Sequence, residues 1–215
     1  HYLSLLFHLQ RIYFGYITEI NMKKYNILIL IISMVFTQVV NAENDNYVID
    51  ESHFSLGFMV EHAGYAKTLG MFKKVSGSFN YDKGKNLLSN VEIIIDTSSV
   101  FTNHEKRDAH LRSPDFLDVV KFPTMRFIAD NNNLNMNPNK VTGELTLLGI
   151  SKEITLHAVI NKIEKYPFGF IKPIVMGVSA TASFNRTDFG MDYAVGENGV
   201  GNQIDLIIEF EAIKQ

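Results

Sequence analysis

The chain has 215 residues, of which 46% are hydrophobic and 20% are charged, and its formal net charge is −3. These values are typical of one globular domain with a sizeable core. Lysine and arginine never occur in runs longer than two, so no broad positive surface for a polyanion is predicted and nucleic-acid binding is disfavoured. The chain contains no cysteine, which excludes disulfides, thiolate metal sites and cysteine nucleophiles.

Residues 22–42 have the pattern of a secretory signal peptide. Lys23 and Lys24 form a basic start, an apolar run follows, and Val40 and Ala42 are small residues at the two positions that define a cleavage site. The alternative is a transmembrane anchor, but the apolar run is shorter than the roughly 20 residues that span a bilayer. We therefore expect cleavage after residue 42 and a periplasmic or secreted protein.

Residues 1–21 precede this signal and begin with His rather than Met. They are interpreted as a mis-assigned start or a translated leader with no function. Without the first 42 residues, the domain at residues 43–215 has 17 basic and 22 acidic residues, which give a net charge of −5.

The remaining sequence alternates apolar and polar side chains with a period of two, which is typical of strands with one buried face. In the first strand, Leu56, Phe58 and Val60 share the inward face. The alternation slips near Lys73 and Lys74, as a bulge in the second strand would cause. Eight such segments with short connections predict an all-β, antiparallel, eight-stranded barrel, and a sandwich is the alternative. The predicted strands cover residues 47–61, 68–82, 91–96, 125–130, 141–147, 154–160, 177–184 and 204–210.

One segment after the third predicted strand lacks this alternation. Thr102-x-x-Glu105 has the spacing of a capping box, and residues 113–115, Ser-Pro-Asp, are typical of a second helix start. These patterns predict a short helical insertion of one or two helices between strands three and four, which would close one end of a barrel. The side chains expected to cover that opening are Leu111, Phe116 and Leu117.

Several positions on the predicted inward face carry small residues, while the others are large. An eight-stranded barrel either just fills its interior or holds one slender ligand, and small inward residues favour a cavity. A hydrocarbon chain suits such a lining, because each buried methylene contributes roughly 0.8 kcal/mol before ordering costs. The alternative is a filled core. The small inward residues are Ala129, Gly143, Ala158, Ala180 and Ala182.

The helical insertion also holds the best candidates for chemistry. His104 and His110 are six residues apart, whereas zinc ligands on one helical face are three or four apart, so no metal site is predicted. Arg107, Asp108 and His110 are interpreted as capping and salt-bridging residues, since no nucleophile elbow, phosphate loop or paired-carboxylate spacing accompanies them. The alternative is an enzyme that uses this cluster on a lipid head group.

Short motifs extend over essentially the whole predicted domain. They are Tyr47-Val48-Ile49-Asp50, Phe58-x-Val60-x-His62, Gly70-x-Phe72, Asp96-Thr97-Ser98-Ser99, Arg107-Asp108-Ala109-His110-Leu111-Arg112-Ser113, Gly143-x-Leu145-Thr146-x-x-Gly149-x-Ser151-Lys152 and Arg186-x-Asp188-Phe189-Gly190. This set resembles the YceI-like family of bacterial periplasmic proteins. The resemblance implies a lipocalin-like barrel that binds a polyisoprenoid or a similar long-chain amphiphile, such as an isoprenoid quinone, without catalytic residues. It also permits a homodimer.

The sequence therefore predicts an exported carrier or sequestering protein with a hydrophobic lipid ligand, no other cofactor and no enzymatic activity. His62 shares the inward parity of the first strand and is a candidate for the ligand's polar end, although a structural role is favoured. Arg186 is a second head-group candidate, although pairing with Asp188 is favoured. A further alternative is a stress-related interaction protein with a filled core. The predicted ligand contacts are Leu56, Phe58, Val60, His62, Phe72, Ile93, Phe127, Leu145, Leu156, Ala182, Arg186, Leu206 and Phe210.

Overall fold

The computed structural model describes residues 44–196 and 198–215, so the predicted leader and signal segments lie outside the described residues. Within that part of the chain, long antiparallel strands surround an apolar interior, and one short α-helix, α1 (Glu105–Leu111), lies between two of them. Single 3-10 turns occur at Thr97–Ser99 and Arg186–Phe189. The strands are β1 (Asn44–His62), β2 (Ala66–Phe72), β3 (Val75–Asp82), β4 (Leu87–Asp96), β5 (Val100–Phe101), β6 (Thr124–Ala129), β7 (Asn132–Asn133), β8 (Asn139–Leu147), β9 (Ile150–Lys165), β10 (Ile174–Asn185) and β11 (Val200–Lys214).

The sheet closes on itself as an eight-stranded antiparallel barrel. The order around it is β11, β10, β9, β8, β6, β4, β3 and β1, and β1 also pairs with β11. β2 and β3 together occupy one place in the ring, because β3 pairs with the first residues of β1 and β2 with the last. Closure leaves the long strands without a free edge, which favours the barrel over a sandwich. The predicted barrel is confirmed.

The second predicted strand is in fact two strands, and the expected bulge at Lys73 and Lys74 is a break between them. Phe72 and Val75 are both buried, and a spacing of three residues cannot place both on one face of a continuous strand. The hydroxyl of Ser99 accepts hydrogen bonds from the backbone N–H groups of Lys73 and Lys74, each at 3.1 Å. These bonds satisfy the backbone where the chain changes its pairing along β1.

The helical insertion follows β5 and precedes β6, so its predicted place between strands three and four is not matched. The split of the second strand and the short β5, which pairs with β2, account for the difference. The prediction that Thr102 and Glu105 form a capping box is also wrong, because His104 caps α1. The Nδ1 of His104 accepts a hydrogen bond from the backbone N–H of Arg107 at 3.2 Å. Residues 112–120 form turns instead of a second helix.

Among the described residues, no helix has the length and apolar character needed to cross a membrane.

Candidate ligand-binding site

Two neighbouring cavities lie inside the barrel. Cavity 1 has a volume of about 130 Å³ and is lined by hydrocarbon side chains together with Met176, Tyr81 and Asn139. The Tyr81 hydroxyl donates to the side-chain oxygen of Asn86 at 2.6 Å, and the Asn139 side-chain oxygen accepts from the N–H of Met136 at 3.0 Å. These polar groups are therefore engaged with the rim of the barrel, and cavity 1 suits an apolar guest.

Cavity 2 has a volume of about 120 Å³ and lies at the end of the barrel that carries α1. Phe58 and Phe72 form part of its wall, with their ring centroids 5.7 Å apart. The helical insertion closes it with Leu111, Phe116 and Leu117, as the sequence predicts, and the last two are buried. The insertion thus acts as the floor of this cavity.

The two cavities share part of their lining, which places them end to end along the barrel. An apolar cavity of about 150 Å³ lined by Leu, Ile and Phe stays dry and accepts benzene in another protein, so each cavity here has room for a segment of hydrocarbon. A polar ligand would lose its hydrogen bonds to water without replacement. The shared side chains are Leu56, Ile95, Leu145 and Leu206.

The small inward residues contribute to this space unequally. Ala158 and Ala180 line cavity 1, whereas Ala129 and Ala182 are buried but line neither cavity. Gly143 leaves no space at all, because a Cβ there would lie 2.4 Å from the carbonyl oxygen of the adjacent strand β6 and 2.6 Å from a ring carbon of Phe127. Its role is to let β6 and β8 approach closely.

Most of the predicted ligand contacts face the same interior space. Ala182 on β10 and His62 on β1 line neither cavity. The predicted contacts that line one or both cavities are Leu56, Phe58, Val60, Phe72, Ile93, Phe127, Leu145, Leu156, Arg186, Leu206 and Phe210.

His62 is exposed to solvent and lines neither cavity, so the prediction that it faces the interior is wrong. The register of β1 against β11 shifts between Val60 and His62: Val60 pairs with Ile204, but His62 pairs with Val200. His62 is the last residue of β1, and its side chain is exposed to solvent.

Arg186 is buried, with only 1% of its surface exposed, and it lines cavity 2. The predicted pairing with Asp188 is wrong, because Asp188 is exposed and the guanidinium donates to backbone carbonyls instead. Burial lowers the pKa of Arg186 from its ordinary value, and the nearby Asp192 partly offsets this. Four of its five N–H donors hold the loop between β10 and β11, so its main role is structural. The accepting carbonyls, at 2.8 to 3.0 Å, belong to Met191, Tyr193, Val200 and Gly201.

The polar cluster of α1 anchors the helix to the preceding chain. The buried Asp108 carboxylate accepts from the backbone N–H of Thr102 at 2.8 Å and also from its hydroxyl. Arg107 donates to the hydroxyl and carbonyl oxygens of Thr102, both at 2.7 Å. His110 pairs instead with Asp115, at 2.8 Å. Asp108 and His110 therefore have separate partners and do not form an acid–base pair.

Comparison with known proteins identifies the family of this barrel. The family model of the YceI-like domain matches residues 47–212. The chain belongs to the YceI-like family. A UPF0312 protein of Pseudomonas savastanoi pv. phaseolicola is 35% identical to it over 173 residues, which cover 79% of this chain and 87% of the relative.

Solved structures share the YceI-like fold. The YCEI protein of Campylobacter jejuni matches with a TM-score of 0.64 and 29% identity, over 72% of this chain and 90% of that chain. A polyisoprenoid-binding domain from Saccharophagus degradans matches with a TM-score of 0.53 over 80% of this chain and 99% of that chain. Its sequence identity is 10%, so this second likeness shows the fold alone.

The YceI-like barrel also carries an outer cluster that was not predicted from the sequence, at Asp50, His53 and Glu211. In the described part of the chain, this is the group whose ligand atoms lie close enough together to hold a metal ion. The His53 Nδ1 lies 2.7 Å from Asp50 and 3.9 Å from Glu211, and the hydrogen bond with Asp50 raises the pKa of His53. Hydrogen bonds from Ser52 and His53 lower the pKa of Asp50. The Asp50-x-x-His53 spacing is the sequence feature from which part of this cluster could have been predicted.

Proposed function

We propose that this YceI-like barrel binds one long-chain amphiphile, with a polyisoprenoid as the leading class, and that it acts as a carrier or sequestering protein. The hydrocarbon chain of the ligand would run through cavity 1 into cavity 2. The observation that supports this most is the end-to-end arrangement of the two cavities around the shared side chains Leu56, Ile95, Leu145 and Leu206.

The inward side chains of β11 are incompletely buried, which supports the binding of a ligand inside the barrel. Ile204, Leu206, Ile208 and Phe210 all line a cavity, yet each is only half-buried. Apolar surface that stays accessible inside a barrel is stabilised when a hydrocarbon chain covers it, at roughly 25 cal/mol for each Å². A bound hydrocarbon chain would thus cover the apolar surface of β11 that the protein itself leaves accessible.

The chemistry of the lining defines the ligand class. Polar side chains at the cavities already have protein partners, so the binding free energy must come from contacts with hydrocarbon, and the polar end of the ligand must remain near water. A polyisoprenoid alcohol, phosphate or quinone has this division into a long apolar chain and a small head. The S. degradans domain of similar fold is described as polyisoprenoid-binding, which supports the same class here.

The low solubility of such a ligand in water is the reason for proposing a carrier role. A free isoprenoid chain is poorly hydrated in any aqueous compartment, and enclosing it in a barrel removes its surface from water. The predicted signal at residues 22–42 is the basis for proposing the periplasm as that compartment. An enzymatic role on a lipid head group has no such support, because Arg107 and Asp108 both bind Thr102.

Organic extraction and mass spectrometry test the proposal. The protein is purified without detergent, extracted, and compared with an extract of the same host lacking the protein. We expect a polyisoprenoid or a related long-chain lipid that is enriched in the protein sample. A sample that contains no such lipid, and that also fails to take up an added polyprenol, would contradict the proposal.

A further inference from the structure

The loop between β9 and β10 is a second feature that the lipid cavity does not explain. Residues 166–173, which we call the β9–β10 tip, carry three large apolar side chains in solvent: Phe168 is 72% exposed, Ile171 is 86% exposed and Phe170 is fully exposed. Single exposed apolar residues are common on protein surfaces, but adjacent ones form a patch that marks an interaction site.

The backbone of the tip presents these side chains outward. The N–H of Tyr166 donates to the carbonyl of Pro173 at 2.8 Å and closes the base of the loop. Gly169 has a φ of +82°, a left-handed conformation that suits glycine, and it reverses the chain between Phe168 and Phe170. The rings of Tyr166 and Phe168 meet edge to face, with centroids 5.9 Å apart. The apolar patch is therefore held by a closed loop, away from the barrel wall.

Basic residues surround the patch. Lys165 directly precedes the tip, Lys172 lies within it next to Ile171, and both are exposed. Lys162 lies further down β9, where it pairs with Glu164 at 2.9 Å. This end of an otherwise acidic domain thus has local positive charge. Protein interfaces are depleted in lysine, whereas aromatic side chains beside lysines are typical of segments that lie at the surface of an anionic bilayer.

The position of the tip connects it to the cavities. β9 begins at the α1 end, where Gly149 lies against Phe122, and runs to Lys165 at the opposite end. Ile160 on β9 and Met176 on β10 line cavity 1 just before the tip. A surface bound by the tip would consequently face the cavity 1 end of the barrel.

We propose that the β9–β10 tip docks the barrel on an anionic lipid bilayer, with Phe168, Phe170 and Ile171 inserted at the interface and Lys165 and Lys172 over the head groups. This docking goes beyond ligand binding inside the barrel, and either could exist without the other.

Vesicle flotation of the barrel unit, residues 43–215, tests the proposal, since β1 and β11 close that unit on itself. Phosphatidylcholine vesicles with and without 30% phosphatidylglycerol serve as the lipid probes. We expect wild-type protein to float with the anionic vesicles, and F168S/F170S to bind about tenfold more weakly because it loses two inserted rings. K165Q/K172Q should lose the preference for anionic vesicles.

The matched control is Y65S/V120S, which removes two apolar side chains that are 92% and 93% exposed elsewhere on the barrel. It should float like wild type. Equal flotation of F168S/F170S and wild type, or no flotation of wild type, would overturn the proposal. So would a wild-type dimer that F168S/F170S converts to a monomer without vesicle binding, because the tip would then serve a second copy of the chain.

A fluorescence measurement gives an independent readout. The chain has no tryptophan, so Phe170→Trp places a single reporter in the tip. A blue shift on adding anionic vesicles is expected, and an unchanged spectrum would contradict insertion. Polyprenol uptake measured on F168S/F170S separates the two proposals: uptake should stay at the wild-type level even though vesicle binding is lost.

Discussion

The two halves of the barrel are fixed by different interactions. The α1 half, around cavity 2, is closed by side chains that form hydrogen bonds with the backbone. Arg186 donates to four backbone carbonyls, and Asp108 accepts from the backbone N–H of Thr102. The tip half, around cavity 1, is walled by hydrocarbon, and its polar contacts lie at the rim. Directional hydrogen bonds fix one end in a single geometry, whereas apolar contacts leave the other end able to adapt to a guest.

The largest effect should come from Arg186→Met, which removes the charge that organises the α1 half. Several buried carbonyls would lose their donor, and the free energy of unfolding should fall by about 4 kcal/mol. Urea denaturation measures this. The matched control is Arg126→Met, because Arg126 forms a half-exposed pair with Glu92 and should cost less than about 1 kcal/mol. Similar losses in both variants would contradict a structural role for Arg186.

Asp108→Ala tests the second anchor of the α1 half. The N–H and hydroxyl of Thr102 would both lose a buried carboxylate, and the protein should lose about 2 kcal/mol of stability in urea denaturation. Asp115→Ala is the control, since Asp115 is half-exposed and pairs with His110 at the surface. If Asp108→Ala kept wild-type stability but abolished turnover of a lipid substrate, the enzyme alternative would be correct.

Ala180→Leu tests the tip half, where added volume should block the guest without unfolding the protein. Ala180 lines cavity 1, so three extra carbons would occupy space that the ligand needs. We expect polyprenol affinity to fall at least about tenfold, or about 1.4 kcal/mol, with little change in stability. Thr181→Leu places the same side chain on the exposed face of β10 and should bind normally. Normal binding by both variants would exclude cavity 1 as the site.

The smallest effect concerns the outer wall of the α1 half. Lys67, with further hydrogen bonds from Gln203 and Ser183, lowers the pKa of Asp205 from 3.8 to about 2. A carboxylate with a depressed folded-state pKa stabilises the protein above pH 3.8, and this stabilisation is lost as the pH falls to about 2. Solvent screening limits it to about 1 kcal/mol, because Lys67 is half-exposed.

Asp205→Asn should therefore reduce the loss of stability between pH 5 and pH 2.5 by most of that amount. Urea denaturation at both pH values provides the comparison with wild type. An identical pH dependence in the two proteins would show that this ion pair makes no contribution.

The sequence was sufficient to predict the barrel and much of its lining. Period-two alternation marks which side chains share a face, so Leu56, Phe58 and Leu206 could be assigned to the interior from spacing alone. That rule holds while a strand keeps its register. It failed at His62, because His62 is the last residue of β1 and is exposed to solvent, and alternation does not show where the barrel wall ends. The break at residues 73–74 likewise depends on Ser99, which is distant in the sequence.

The polar residues were harder to predict than the apolar ones. Arg186 binds backbone carbonyls, which every residue possesses, so nothing in the sequence identifies its partners. Gly143 was expected to leave space in the interior, yet it allows the backbones of β6 and β8 to approach each other closely. The sequence alone does not distinguish a glycine that leaves a cavity from one that allows close backbone packing. The exposure of Phe168 and Phe170 depends on a loop geometry that alternation does not encode. The homodimer that the family resemblance permits stays a prediction, which light scattering would test.

The central claim is that cavities 1 and 2 form a single channel for one hydrocarbon chain. A crystal structure of the barrel saturated with a polyprenol tests it most directly. We predict continuous ligand density from Ile160 at the tip half, past Leu56 and Leu145, to Phe116 at the α1 half. Density confined to the outer surface, or cavities that stay empty at saturating polyprenol, would contradict the account.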